Sequence, residues 1–314
     1  MSEDKVYTIP KDIIDEALID LMRENEKIVV LSSDVAVSSN VDKICKQFPN
    51  RFFEMGIAEQ STMSVAGGMA IEGLIPVYVA LAIFSCGMTF PQMRQVCNAD
   101  LNVKIIGTHP GVDNGQDGSG HHATEDIALS RAIPRMTVLV PSDVNETAAA
   151  IRAMTEVKGP VYMRIARTAL PVIHSENCDF PIGKAEIMYD DGDDYAIVYE
   201  GSALNEALDG YNRLKNKGYK GKLVSVRTIK PLDRECILEL AQNVKTIITV
   251  ENHSIIGGLY GAVAETLAGQ RTKAIVVPVG FRDTFMESGA EKDIKQKYGV
   301  TGTDILRVYE EQIR

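Results

Sequence analysis

Apolar β-branched runs alternate with segments of helical period along this chain, and that alternation limits the fold more than any other feature. KIVVLSSD (27–34), RFFEM (51–55), IPVYVA (75–80), LNVKIIGTH (101–109), MTVLVPSD (136–143) and GPVYMRIA (159–166) read as strands. DIIDEALIDLMREN, MRQVCNA, TEDIALSRAI and VNETAAAIRAM read as helices among them. Strands apolar on both faces and separated by helices predict a mainly parallel sheet covered on both sides. The pattern lapses over 171–194 into Pro, Gly and acids, then restarts with YAIVYEG, GKLVSVRTI, KTIITVEN and KAIVVPVG. Helices are expected from near Asn205, Asp233 and Gly258. The expected fold is therefore α/β, with two tandem domains at 1–175 and 195–314 and a linker at 176–194.

Composition narrows the functional class. With 33 basic against 43 acidic residues the net charge is −10, which disfavours nucleic acid as a partner. No run approaches the ~18 apolar residues of a membrane span. The N-terminus MSEDKVYTIPKD lacks an export pattern, and five cysteines without a CxxC pair fit reduced thiols. A cytoplasmic protein without a membrane partner is the expectation.

Ligands of open α/β sheets gather at the carboxyl ends of strands. The polar residues at those ends are Ser32, Ser33 and Asp34, then Glu54 and Glu59, then His109, then Arg164 and Arg167. After His109 comes the loop HPGVDNGQDGSGHHATED, which holds Asp113, Asp117, His121 and His122. Three of the five histidines fall in this Gly-rich stretch, an arrangement suited to function more than to connection. Each residue alone has an ordinary reading. Glu59 suits the first turn of a helix, Asp34 an Asx turn, and Arg167 a surface ion pair; Met88, Phe90 and Met93 suit a core. The histidines lack metal-ligand spacing, and no GxxxxGK[ST] phosphate loop occurs.

Taken together the motifs resemble the C-terminal half of transketolase. FEMGIAEQ (53–60) is similar to the segment with that family's catalytic glutamate, and DGSGHHATEDIALSRAIP (117–134) to its DGPTHQ-type loop. GPVYMRIARTALP, ENHSIIGGLYGAVAE and VGFRDTFMESG follow in the family's order. The resemblance implies a thiamine-diphosphate-binding fold followed by a transketolase C-terminal domain. It implies that Glu59 hydrogen-bonds the cofactor's aminopyrimidine and activates it, with Phe84, Ile57 and Met88 packing beside the ring. It further implies that His109 and His121 bind sugar hydroxyls and move protons, and that Asp34 and Asp117 orient substrate. Arg167, Ser38 and Lys11 would hold a terminal phosphate. Lys11 replaces a common arginine there, and GSGHH stands where GPTHQ is usual.

The resemblance also implies a partner. The family's GDG…Asn motif, which holds the diphosphate through Mg2+, does not occur here. A split transketolase is expected, with the motif on an N-terminal subunit and an α2β2 assembly acting on sugar phosphates. The alternatives are half of another thiamine enzyme, either like deoxyxylulose-phosphate synthase or a 2-oxoacid dehydrogenase β subunit, and a non-catalytic binding partner.

Overall fold

The computed structural model describes residues 6–313. Residues 1–5 and 314, within the expected domain bounds, lie outside the described residues. The first part of the chain runs β1 (Tyr7–Thr8), α1 (Ile14–Glu24), β2 (Ile28–Ser32), α2 (Asp42–Gln47), β3 (Phe52–Glu54), α3 (Glu59–Ile71) and β4 (Ile75–Leu81). A π-helical turn at Ile83–Met88 leads into α4 (Phe90–Asn98). Next come β5 (Lys104–Thr108), α5 (Asp126–Ala132), β6 (Thr137–Leu139), α6 (Val144–Glu156), β7 (Val161–Ile165) and β8 (Leu170–Pro171). The second part runs β9 (Glu186–Asp190), β10 (Tyr195–Glu200), α7 (Leu204–Asn216), β11 (Gly221–Val226), β12 (Thr228–Lys230) and α8 (Arg234–Asn243). It closes with β13 (Thr246–Ser254), α9 (Leu259–Leu267), β14 (Ile275–Phe281), α10 (Glu291–Lys297) and α11 (Gly302–Gln312).

Each strand expected from the apolar runs is present, and the sheets are mainly parallel as expected. The larger sheet has the order β12-β6-β7-β5-β4-β2-β3, and the smaller β14-β13-β10-β11-β9. Parallel pairing extends from β6 to β3 in the first and from β14 to β11 in the second. The central strands β2, β5, β7 and β10 are buried on both faces because helices cover both, which is why they carry few polar residues. Helix α1 shows how the cover is built. Ile14, Leu18, Leu21 and Met22 recur at helical spacing and are all buried, while Asp20 and Arg23 face water.

Two details depart from the expectation. GKLVSVRTI is two strands, and β12 leaves its own domain to pair antiparallel with β6 of the larger sheet. Within the span expected as linker, residues 186–190 form β9, an antiparallel edge strand on β11. One apolar cluster consequently spans both parts of the chain, joining Ile127, Ile133 and Val138 to Ile229, Leu259 and Val263. Among the described residues no helix is long and apolar enough to cross a membrane.

Candidate active site

Parallel pairing aligns the carboxyl ends of β2, β3, β4, β5 and β7 along one edge of the larger sheet. Ser32 lies opposite both Glu54 and Val79, and Thr108 lies between Leu81 and Ile165. That register carries the residues that leave these ends to one edge of the sheet. Two of them turn sharply: Asp34 after β2 has φ of 60° and His109 after β5 has φ of 59°. Such left-handed conformations are uncommon outside glycine and persist where surrounding contacts hold them.

Glu59 is the first residue of α3, and Glu54 determines how the chain enters that helix. The Glu54 Oε1 accepts the backbone N–H of Asp34 at 2.6 Å and that of Gly56 at 3.2 Å, tying the β2 turn to the β3 turn. Gly56 has φ of 68°, which permits the reversal before the helix. Beneath this first turn lies a buried chain of hydroxyls. Tyr78 OH is 3.1 Å from Ser33 Oγ, Ser33 Oγ is 3.0 Å from Thr62 Oγ1, and Thr62 Oγ1 donates to the Ala58 carbonyl at 3.0 Å. Burial pushes the Tyr78 phenol up, with Glu59 and Glu54 adding to the shift, so it stays a neutral donor.

Phe84 sits in the π-helical turn and meets His121 edge-to-face, with centroids 5.4 Å apart at 75°. Gln60 Nε2 donates to the Met88 carbonyl at 3.2 Å, fixing the turn against the start of α3. Met88 is 51% exposed and Ile57 80% exposed. The core reading of Met88 is corrected by this: the π turn aims it away from the interior, whereas Met93 is buried and Phe90 half-buried. The π turn that holds Phe84 and the exposed Met88 is thus tied to the start of α3, just after the exposed Ile57.

Lys11 and Arg167 lie near His109, and Ser38 is exposed in the segment after β2. His109 is buried, its Nδ1 lies 2.9 Å from Thr108 Oγ1, and burial with Arg167 and Lys11 lowers its pKa to about 3. Its imidazole is therefore neutral at physiological pH. Lys11 Nζ donates to Asn40 Oδ1 at 2.5 Å, and Ser38 Oγ to the Val35 carbonyl at 3.1 Å. Asp34 and Asp117 are exposed at the rim.

Residues of the same type take different parts. His121 is half-buried against Phe84, but its neighbour His122 is buried and its Nε2 donates to the Gly115 carbonyl at 3.1 Å, holding the loop closed. Arg167 is exposed, while Arg164 is fully buried between Asp126 at 3.2 Å and Glu200 at 3.5 Å. Asp113, in the sequence only one of the loop's titratable groups, supports the loop from behind. Asp113 Oδ2 accepts the backbone N–H groups of Arg167 at 2.8 Å and Thr168 at 3.2 Å. Its place two residues before the Gly115 turn was the available signal.

The only group of potential metal ligands among the described residues is Glu146, His174 and Glu186. It lies away from Glu59, where the span between the two domains meets α6, and Arg227 already forms ion pairs with both glutamates.

The chain belongs to the transketolase family. Residues 11–172 match the model for the transketolase pyrimidine binding domain, and 183–305 the model for the transketolase C-terminal domain. The chain is 38% identical to a protein named as a transketolase C-terminal section in Methanocaldococcus jannaschii, covering 95% of this chain and 94% of that one. It is 34% identical to a 6-deoxy-6-sulfo-D-fructose transketolase subunit of Clostridium sp., covering 96% and 93%. A solved structure described as a split gene transketolase, inactive beta4 tetramer, superposes with a TM-score of 0.86 at 37% identity, covering 96% of this chain and 97% of that one. Transketolase from Campylobacter jejuni shares the fold at 20% identity and a TM-score of 0.83, with this chain spanning 47% of its length.

Proposed function

We propose that this chain is the C-terminal subunit of a split transketolase that moves a two-carbon ketol unit from a ketose phosphate to an aldose phosphate. The observation that carries the reading is Glu59 at the open mouth of α3, beside Phe84 and the exposed Ile57 and Met88. An aminopyrimidine ring needs this donor set: a carboxylate for a ring nitrogen, and apolar and aromatic surface for its faces. The pyrimidine end of thiamine diphosphate therefore fits the residues present, and when bound it supplies the nucleophilic carbon of ketol transfer. Glu59 would hydrogen-bond a nitrogen of the pyrimidine ring. His121, kept in place by Phe84, and the neutral His109 take and return protons at the sugar hydroxyls. Asp34 and Asp117 orient the sugar, while Lys11, Ser38 and Arg167 bind its terminal phosphate; Arg167 offers a bidentate fork.

The diphosphate end has no counterpart among these groups. Its Mg2+ is assigned to an N-terminal subunit carrying a GDG…Asn motif, with two copies of each chain in the assembly. A ligand held across an interface strengthens that interface by mass action, so cofactor binding and assembly are coupled. Relatives named for sulfofructose and for apulose-4-phosphate support variation of the sugar within this architecture.

The test is titration of the purified chain with thiamine diphosphate and Mg2+, alone and then with the N-terminal chain, followed by assay on pentose phosphates and on pyruvate. Poor cofactor affinity alone, tight binding in the complex and ketol transfer from a ketose phosphate are expected. Tight Mg2+-dependent binding by the isolated chain would overturn the split reading. Turnover of pyruvate in place of ketose would favour a synthase like the 1-deoxy-D-xylulose-5-phosphate synthases, of whose length this chain spans 47% in one 34% identical relative.

A further inference from the structure

The Gly-rich loop of the first domain rests on one side chain of the second. Asn252, on β13, is fully buried. Its Oδ1 accepts the Val112 N–H at 3.1 Å, and its Nδ2 donates to Asp113 Oδ1 at 2.9 Å and to the Pro110 carbonyl at 3.4 Å. Gly111, between them, has φ of 57° and lies so close that any Cβ there would overlap Asn252. The backbone of Asn252 is held as firmly. Its N–H donates to Glu200 Oε1 at 2.9 Å, and its carbonyl accepts from the buried Arg164 at 3.2 Å.

Only an amide satisfies this position, because one side must accept from an N–H and the other must donate to a carboxylate and a carbonyl. Asp113 then passes the constraint on, since its second oxygen accepts the N–H groups of Arg167 and Thr168. A continuous path of hydrogen bonds runs from β13 through Asn252 and Asp113 to the turn that carries Arg167.

We propose that Asn252 is a positioning residue through which the C-terminal domain fixes the substrate loop and the Arg167 turn. It touches neither cofactor nor sugar; it acts through Asp113. The kinetic part of this proposal rests on the ketol-transfer reading, and the structural part does not.

The charged groups around Asp113 decide what a substitution would do. Glu291 and Lys295 face it from α10, Arg167 from the turn after β7, and Arg164 from β7 itself; Glu206 of α7 pairs with Lys295 at 3.0 Å. Burial pushes the Asp113 carboxyl up to about 7, Glu291 adds to this, and Lys295 with the two turn N–H groups opposes it. In Asn252→Asp two carboxyl groups would face each other. Below that range one proton is shared and an O–H···O bond replaces the amide bond. Above it both are charged, and the loop is driven from β13.

The experiment compares wild type, Asn252→Asp, and the reciprocal pair Asn252→Asp with Asp113→Asn, each assembled with the N-terminal chain. KM for a ketose phosphate is measured from pH 6 to 8.5, with cofactor C2 proton exchange alongside. For Asn252→Asp, KM should exceed wild type by about tenfold or more at pH 8.5 and by less at pH 6. C2 exchange, which depends on Glu59, should stay within about twofold. The reciprocal pair restores one amide facing one carboxylate, though not the 3.4 Å bond to the Pro110 carbonyl, and should bring KM back to within about threefold of wild type. Hydrogen exchange of the isolated chain at pH 8 gives a reading that needs no activity. The Val112, Arg167 and Thr168 amides should lose about tenfold in protection in Asn252→Asp and regain it in the pair. If wild type transfers no ketol unit, the function reading fails and the exchange arm still decides the role of Asn252. Should Asn252→Asp fail to fold, folding restored by the charge-conserving pair supports the proposal. Wild-type KM and protection in Asn252→Asp, or a reciprocal pair no better than the single variant, would overturn it.

Discussion

His174 provides a sharp test of how the two domains are joined. It lies just after β8, with its side chain 5% exposed, and its Nδ1 is 3.1 Å from Asp143 Oδ2. Its Nε2 is 3.2 Å from Glu186 on β9 and 3.8 Å from Glu146 on α6. Arg227, between β11 and β12, pairs with Glu146 at 3.0 Å and with Glu186. Asp143 also caps α6 through the Glu146 N–H and accepts the N–H groups of Ile173 and His174 at 2.6 and 2.7 Å. Three carboxylates, the Arg227 guanidinium and the His174 imidazole thus meet where the domains touch. Burial alone would lower the His174 pKa, but Asp143 and Glu146 outweigh it and the net shift is upward. Burial works against the Asp143 carboxylate as well, yet His174 and the three N–H donors leave its pKa lowered. Removing one partner of a buried ion pair costs about 3–5 kcal/mol. His174→Ala should therefore lower Tm by roughly 6–10 °C at pH 6, taking about 2 °C per kcal/mol for a chain of this size.

The sign of the pH dependence follows. A raised imidazole pKa contributes stability that is fully present below its unfolded value of about 6.5 and is lost as pH rises through the folded value. The lowered Asp143 pKa contributes stability above about 3.8 that is lost as pH falls through its folded value. Wild type should thus lose stability above neutrality, and His174→Ala should not show that loss. Calorimetry from pH 5.5 to 9 decides the matter. Parallel Tm profiles for the two proteins would refute the ion-pair account.

Two predictions address the site itself. Glu59→Gln should leave the fold intact, as judged by far-UV circular dichroism, and lower turnover in the assembled enzyme by ~10²-fold or more; near-normal cofactor C2 exchange would remove Glu59 from its assigned role. Arg167→Ala should raise KM for phosphorylated ketoses about 10- to 100-fold and leave unphosphorylated ketoses nearly unaffected, so equal losses on both would mark the arginine as structural.

Local sequence determined a large share of this protein. Strands apolar on both faces can be satisfied only between two layers of helices, so 28–32, 75–81 and 104–108 signalled a parallel sheet before any contact was known. Parallel strands have all their carboxyl ends at one edge, and so Asp34, Glu59, His109 and Arg167 could be grouped from their positions after strands. Other features depend on pairings between residues far apart in the chain, and no local pattern encodes those. His121 and His122 are adjacent and alike, yet one faces Phe84 and the other Gly115 because the loop is folded back on itself. Arg164 and Arg167 are three residues apart, yet the first is a buried ion held between Asp126 and Glu200, the latter from the second domain, while the second is exposed. β12 reads as the tail of its own strand until β6 offers an unpaired edge. Asn252 lies 139 residues from Asp113, and its amide gains a purpose only when β13 comes to lie beneath the loop. Tertiary structure decided these parts because burial makes each polar atom find a partner, and which partner is near depends on how the two domains pack.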